Sequence, residues 1–136
     1  AMDTNRVHAF YWLSRSNTLS NTGESVELAN EGLDLARKIK FPPGQLECLE
    51  ALSFAYAITS SFEKGFDAAY QSIDLSRKYA PVREVFGINM MGLLYQKLGD
   101  DKESLKWAQT IILNESKQII SRNGAPCSCW HRNMSD

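Results

Sequence analysis

The sequence predicts an all-α protein of three antiparallel helical hairpins, and two patterns support this prediction. A short run of small and apolar residues recurs about every 40 residues, a period typical of helical repeats. The three runs are Gly23–Ala29, Glu63–Ala69 and Lys102–Ala108. Between them, apolar residues follow the spacing of three and four that an amphipathic helix requires. Because one repeat buries its apolar face only against its neighbours, we expect the hairpins to stack.

The first hairpin is predicted over residues 5–41 and the second over residues 44–80. Each contains two helical stretches, separated by a break at Asn21–Gly23 in the first hairpin and at Thr59–Ser61 in the second. Clusters of glycine, serine, threonine and asparagine favour turns. The two prolines of Phe41–Gly44 are expected to end the first hairpin, since a helix usually stops before a proline.

The third hairpin is predicted over residues 81–120. Pro81 suits the first turn of a helix, and Gly99 suits a left-handed residue at the end of one. Asp100 is then expected to cap the second helix, with Glu103 in the reciprocal position of a capping box.

Residues 1–4 and 121–136 are expected to lie outside the repeats. An alanine before a methionine is typical of an expression remnant, and no charged and apolar leader follows it. The stretch after Ser121 mixes Gly124 and Pro126 with polar residues without periodicity. It is therefore predicted to be an irregular tail.

The bulk composition is that of a globular domain. The chain has 136 residues, of which 43% are hydrophobic and 23% charged, and its net charge is -1. Without a basic excess, nucleic acid is not expected as the main ligand. No apolar run approaches the roughly 18 residues that indicate a membrane span, so membrane insertion is not expected. The residues leave the compartment open, with the cytoplasm favoured.

Small residues align between the three units, as close packing of helices requires. Side chains of little bulk, one helical turn apart, let two helices approach closely. The aligned sets are Ser25, Gly65 and Ser104; Ala29, Ala69 and Ala108; and, as a larger apolar position, Leu33, Ile73 and Ile112.

At Gly92–Asp100 the chain resembles the tetratricopeptide repeat family, whose pattern combines a glycine, a tyrosine and a turn glycine. The second unit keeps Tyr56 and Gly65, and the first unit is the most degenerate, as expected of a terminal repeat. The period exceeds the roughly 34 residues usual in the family and is similar to the extended repeats of signalling scaffolds and bacterial sensory proteins. The resemblance covers residues 5–118. It implies a right-handed solenoid that acts as a protein-interaction module.

In that family the first helix of each hairpin lines the concave face, so the resemblance implies that a peptide or helix of another protein binds there. Phenylalanine would accept apolar anchors, and side-chain amides would pair with a peptide backbone. The expected contacts are Phe10, Ser14, Asn17, Glu47, Glu50, Phe54, Ile58, Phe86, Asn89, Leu93, Gln96 and Lys97.

Two alternatives remain open for this face. Apolar members such as Phe54 and Leu93 would simply complete the core, because partly exposed apolar residues are common. A regulatory domain that senses a small secreted peptide would use the same groove. A role as one part of a larger signalling protein is implied by the resemblance alone.

The last predicted helix carries a face too apolar to be left in water. Its residues are Trp107, Ile111, Ile112, Ile119 and Ile120. We expect this face to be covered by the tail, by a further repeat, or by a second copy of the chain in a homodimer through this helix.

Cys127, Cys129 and His131 place three soft-metal ligands close together in the tail. A metal or redox module built on them is a further alternative, but the spacing is not that of a zinc knuckle, so no metal site and no cofactor are expected. No nucleophile with a general base and no phosphate-binding glycine loop can be identified. The sequence therefore predicts a binding protein and not an enzyme.

Overall fold

Six α-helices and one short 3-10 turn make up residues 2–123, the part of the chain that this computed structural model describes; side chains are described from residue 3 to residue 113. No strand occurs within these residues, which confirms the all-α prediction. None of the described helices is both long and apolar enough to cross a bilayer. The elements in chain order are α1 (Met2–Asn17), α2 (Thr22–Lys38), α3 (Pro42–Ile58), α4 (Phe62–Tyr79), the 3-10 turn (Pro81–Arg83), α5 (Glu84–Lys97) and α6 (Asp101–Asn123).

The helix boundaries differ from the predicted ones most clearly at the prolines. α2 ends at Lys38, and Pro42 and Pro43 are the first two residues of α3. Proline is tolerated there because the first N–H groups of a helix have no partner inside the helix. The prolines therefore begin α3 and are part of the second hairpin.

The three-residue turns after α2, α3 and α5 share one geometry. The middle residue of each has a positive φ, at 54° for Lys40, 57° for Ser60 and 84° for Gly99. In each turn the next N–H donates to a carbonyl five residues earlier, at 2.8–2.9 Å. This bond pattern is the Schellman motif, which satisfies the last carbonyl groups of a helix. Only Gly99 has the residue type that this backbone conformation favours.

Asp100 caps α6 as predicted, but the reciprocal half of the capping box does not form. The carboxylate of Asp100 accepts the N–H of Glu103 at 3.1 Å. The Glu103 carboxylate accepts a hydrogen bond from Lys106 at 2.8 Å, while the Asp100 N–H donates to the Tyr95 carbonyl. The Schellman motif and the capping box both require the N–H of Asp100 as a donor. In this structure that N–H donates to the Schellman motif, so the capping box is incomplete.

The helices pack in a regular order. α1, α3 and α5 contact one another in succession, and α2 and α4 each contact the first helix of the next hairpin. Among the described residues, the backbones of α2, α4 and α6 do not approach one another closely, and these helices meet only through side chains such as Arg37 with Gln71 and Tyr70 with Trp107. As a result, α3 lies against both helices of the first hairpin, and α5 lies against both helices of the second.

Glycines mark close approaches between successive hairpins, and a Cβ atom added at Gly44 of α3 would stand 2.5 Å from Cγ1 of Val7 on α1. A Cβ atom added at Gly87 of α5 would stand 2.6 Å from Cγ1 of Ile73 and 3.3 Å from the carbonyl oxygen of Ala69, both on α4. A Cβ added at Gly32 of α2 would stand 2.8 Å from the sulfur of Cys48 on α3. Distances this short leave no room for a side chain, so these contacts set the spacing between hairpins.

The aligned residues of the three units are not equally buried. In the first two units all of them are buried: Ser25, Ala29, Leu33, Gly65, Ala69 and Ile73. In the third unit Ser104 is half-buried, Ala108 is exposed, and the Ile112 side chain is 64% exposed. The difference arises because α3 and α5 cover the first two units, whereas no described helix covers the third.

Exchanging the residues at the middle of two turns should change stability in opposite directions. Ser60→Gly should raise the free energy of unfolding by about 0.5–1 kcal/mol, because the left-handed conformation is costly for a residue with a Cβ. Gly99→Ser should lower it by about 1 kcal/mol for the same reason. Urea denaturation followed by circular dichroism measures both. Shifts of the same sign would contradict the assignment of strain to these two positions.

Candidate interaction surfaces

A connected set of aromatic and charged side chains joins α1, α3 and the 3-10 turn. We call it the inner face, and it consists of His8, Tyr11, Arg15, Glu47, Glu50, Phe54 and Arg83. These residues lie on elements that contact one another in succession, so the set extends across more than one hairpin. Its polar groups are mostly paired with each other.

Arg15 is the cation of the inner face that packs on two aromatic rings. Its Cζ atom lies 5.9 Å from the ring centre of Tyr11 and 5.5 Å from that of Phe54. Among the described residues it forms no ion pair, and its side chain is exposed. Contacts of a guanidinium group with two aromatic rings restrict its position while leaving its N–H donors available. Arg15 therefore offers a pre-positioned positive charge.

Glu50 is buried, with 4% of its surface exposed, and accepts two hydrogen bonds from Arg83 at 2.8 and 3.0 Å. Burial raises the pKa of this carboxyl group, and the charge and hydrogen bonds of Arg83 act in the opposite direction. Glu47 also raises it, and Arg15 also lowers it. This pair connects α3 to the turn before α5, which is a structural role.

A second pair connects α1 to α3. The Nδ1 atom of His8 lies 2.8 Å from a carboxylate oxygen of Glu47. The His8 ring also meets the ring of Phe41 edge to face, with 5.6 Å between the ring centres. The pair is partly exposed, so its contribution depends on solvent screening.

The second surface is the groove between α5 and α6. It encloses about 220 Å³ and is lined by Ile88, Asn89, Gly92, Leu93 and Gln96 of α5 and by Ser104, Ala108 and Ile111 of α6. Ile88 is fully buried at its base, whereas Asn89, Gln96 and Ala108 are exposed. The groove is thus lined by apolar and polar groups together, with its side-chain amides on α5.

The structure distributes the predicted partner-binding residues over three environments. Glu47 and Phe54 belong to the inner face, together with Glu50. Asn89, Leu93 and Gln96 instead line the α5–α6 groove. Phe86 packs against the buried core, as parts of Phe54 and Leu93 also do, Ile58 is half-buried, and Lys97 is exposed at the end of α5.

The first-hairpin residues proposed for partner binding are engaged inside that hairpin. Ser14 is fully buried; its hydroxyl donates to the Ser25 carbonyl at 2.7 Å, so it offers no contact to a partner. Phe10 packs on α2. A Cβ atom added at Gly32 of α2 would stand 2.9 Å from the Cβ atom of Phe10. The Asn17 amide donates to the Leu13 carbonyl of its own helix at 3.1 Å. Ser14 and the buried Glu50 are therefore corrections to the predicted set.

Sequence reasoning missed Arg15, Tyr11 and Arg83. A signal for the first two was present, because an arginine four residues after a tyrosine on one helix places the cation beside the ring. The sequence contains no such signal for Arg83, because its partner Glu50 lies 33 residues earlier in the chain.

The apolar residues predicted to need cover differ in exposure where the structure describes them. Trp107 is half-buried and meets Tyr70 of α4 edge to face at 6.4 Å, and Ile111 is also half-buried. Among the large apolar side chains that are described on α6, Leu105, Ile112 and Leu113 are the most exposed. The side chains of Ile119 and Ile120 lie outside the described residues.

The predicted metal-binding tail lies outside the described residues, so Cys127, Cys129 and His131 have no structural account. Within the described part of the chain, no group of three His, Cys, Asp or Glu side chains is arranged to hold a metal ion. Cys48 is buried in the core, and burial raises the pKa of its thiol to about 12, with a smaller effect from Glu47. A thiol with so high a pKa is a poor nucleophile and a poor ligand.

Comparison with known proteins finds no match: no family model, no curated protein and no solved structure matches the chain. What the two surfaces can bind follows from their own groups. The inner face offers the guanidinium group of Arg15 beside two aromatic rings. The α5–α6 groove offers apolar side chains such as Ile88 and Leu93 beside the amides of Asn89 and Gln96.

The stability of the protein should depend on the protonation of Glu50. Because its pKa is raised in the folded state, folding is favoured when Glu50 is protonated, and that stabilisation is lost as pH rises above the ordinary value of 4.5. Relative to Glu50→Gln, which does not titrate there, the wild-type protein should therefore lose stability from pH 4 to pH 7. Urea unfolding of both proteins at several pH values measures the difference.

Arg83→Gln is the second variant for this test. Without the guanidinium group, the raised pKa of Glu50 should rise further, so the loss of stability with pH should become steeper. A stability difference that grows in favour of the wild-type protein as pH rises would show that the ion pair outweighs burial, and would contradict the prediction.

Proposed function

We propose that this chain is a tetratricopeptide-like protein-interaction scaffold, a right-handed solenoid of three hairpins that binds a peptide or helix of a partner on its inner face. The proposal is supported by the close backbone contacts in succession through α1, α3 and α5, whereas among the described residues the backbones of α2, α4 and α6 lie farther from one another. Closer packing of the first helices is the arrangement of a curved stack with those helices on its concave side.

The observation that carries the proposal is the position of Arg15. The other charged groups of the inner face are paired: Glu50 with Arg83 and Glu47 with His8. Arg15 lies against the rings of Tyr11 and Phe54 and forms no ion pair with any side chain that the structure describes. A carboxylate brought to it forms charge-assisted hydrogen bonds without first breaking an ion pair.

The surroundings of Arg15 define the peptide that would fit. Tyr11 and Phe54 provide apolar surface beside the guanidinium group, and both are only partly buried. A peptide with an acidic side chain next to an apolar or aromatic one would satisfy both features. The exposed Trp12, whose ring meets Tyr11 at 5.2 Å, extends the aromatic surface along α1.

Arg15→Gln should reduce peptide binding without unfolding the protein. A displayed library of random peptides is selected on the chain, and the enriched peptides are measured against the variants by fluorescence anisotropy. We expect an acidic residue in the enriched peptides and at least about a tenfold loss of affinity in Arg15→Gln, since a hydrogen bond to a charged group contributes about 1.5–3 kcal/mol.

Arg6→Gln is the matched control, because Arg6 is an exposed arginine of the same helix outside the inner face. Its affinity should equal that of the wild-type protein, and thermal unfolding should verify that all three proteins are folded. Enrichment of peptides without acidic residues, or equal affinity in Arg15→Gln, would contradict the proposal.

A further inference from the structure

The α5–α6 groove repeats an interface that is already occupied inside the same chain. In the second unit, Gly65, Ala69 and Ile73 of α4 are covered by α5. The corresponding residues of α6 are Ser104, Ala108 and Ile112, each 39 residues later. Ser104 and Ala108 line the groove. The residue types that receive a helix on α4 are thus present again on α6.

The way α5 covers α4 defines the register of that interface. Gly87 faces Ala69 and Ile73, and a Cβ at Gly65 would stand 3.0 Å from the Leu94 side chain. The chain of α5 therefore runs antiparallel to that of α4. Its close contacts come from a glycine and from a leucine seven residues later, which lie on one face of a helix.

We propose that the α5–α6 groove binds an α-helix of a partner protein that runs antiparallel to α6. That helix places a glycine or alanine at Ala108 and a leucine, seven residues later, at Ser104. The proposal follows from continuity with the α4–α5 interface and is independent of the inner face.

The chemistry of the groove agrees with a helix as the occupant. Ile88 and Leu93 contribute the larger apolar side chains of its lining. The small residues Gly92, Ser104 and Ala108 leave a space of about 220 Å³ beside them. An apolar side chain of the leucine type fits this space and would be removed from water there. Asn89 and Gln96, exposed and two turns apart on α5, are placed to bond polar groups flanking the bound helix.

A second copy of the chain is a poorer fit than a separate partner. The α5 helix of another copy is already packed in its own hairpins. The large apolar side chains exposed at this end of the first hairpin are Trp12 and Leu13 of α1 and Leu19 of the turn that follows it. At the α4–α5 interface, the closest contact leaves no room for a side chain at all, as the 2.6 Å separation at Gly87 indicates. A helix with a tryptophan at the equivalent contact could not approach α6 as closely as α5 approaches α4.

The test uses a labelled synthetic peptide with the sequence of residues 81–98, which carries the glycine and the leucine at the required spacing. Fluorescence anisotropy measures its binding to the full chain. We expect saturable binding that falls at least tenfold when the peptide carries Gly87→Trp or Leu94→Asp. In the protein, Ala108→Arg should abolish binding, whereas Ala9→Arg, at an exposed alanine of α1, should leave it unchanged.

Other occupants have distinct outcomes, and each would overturn the proposal. A dimer in light scattering that Ala108→Arg dissociates would identify a second copy in the groove. A tenfold or larger gain in peptide affinity on deletion of residues 124–136 would identify the chain's own segment. Absence of peptide binding, or binding that Ala108→Arg does not affect, would show that the groove does not take a helix of this kind.

Discussion

The close approach of each hairpin to the next is the constraint on which the rest of the structure depends. At Gly87 the α4 backbone and Ile73 occupy the space of a side chain, and at Gly32 the sulfur of Cys48 does so. A helix interior gains nothing from glycine by itself, because glycine loses more backbone entropy on folding than other residues. Its presence at these two contacts is therefore explained by packing. The resulting spacing lets α3 and α5 bury apolar residues of the preceding hairpin, and burial is the main source of helix stability in such stacks.

The polar arrangement of the inner face follows from the same spacing. When α1, α3 and α5 contact one another, charged residues on those helices meet across hairpins, as His8 does with Glu47 and Glu50 with Arg83. A buried carboxylate loses its hydration, and the raised pKa of Glu50 indicates that Arg83 does not compensate fully. The pair thus fixes the position of the turn before α5 more than it adds stability. Arg15, packed on rings instead of a carboxylate, keeps its charge available.

The helical class and the positions of the hairpins could be predicted because helical periodicity and turn residues are local signals. The 40-residue alignment even identified the residues that α3 and α5 would bury, such as Ala29 and Ala69. Periodicity could not decide which face of the first helix in a hairpin packs against the second helix of the same hairpin. Ser14 was placed on a binding face for that reason, although it bonds Ser25 within the hairpin. The role of Arg15 was missed because it depends on which carboxylates pair with other cations, as Glu50 does with Arg83. Such pairs form between residues that are distant in the sequence.

The two surfaces differ in how a bound partner would act on the fold. A peptide at Arg15 contacts α1 and α3, which already pack against each other, so it changes little besides its own position. A helix in the α5–α6 groove would cover residues whose counterparts in the first two units are buried, and it would extend the core into the third unit. Ligands that bind only the folded state stabilise it in proportion to their affinity and concentration. Because Ala108 and Ser104 are the least covered members of their aligned sets, that stabilisation would be concentrated in α6, where cover is least.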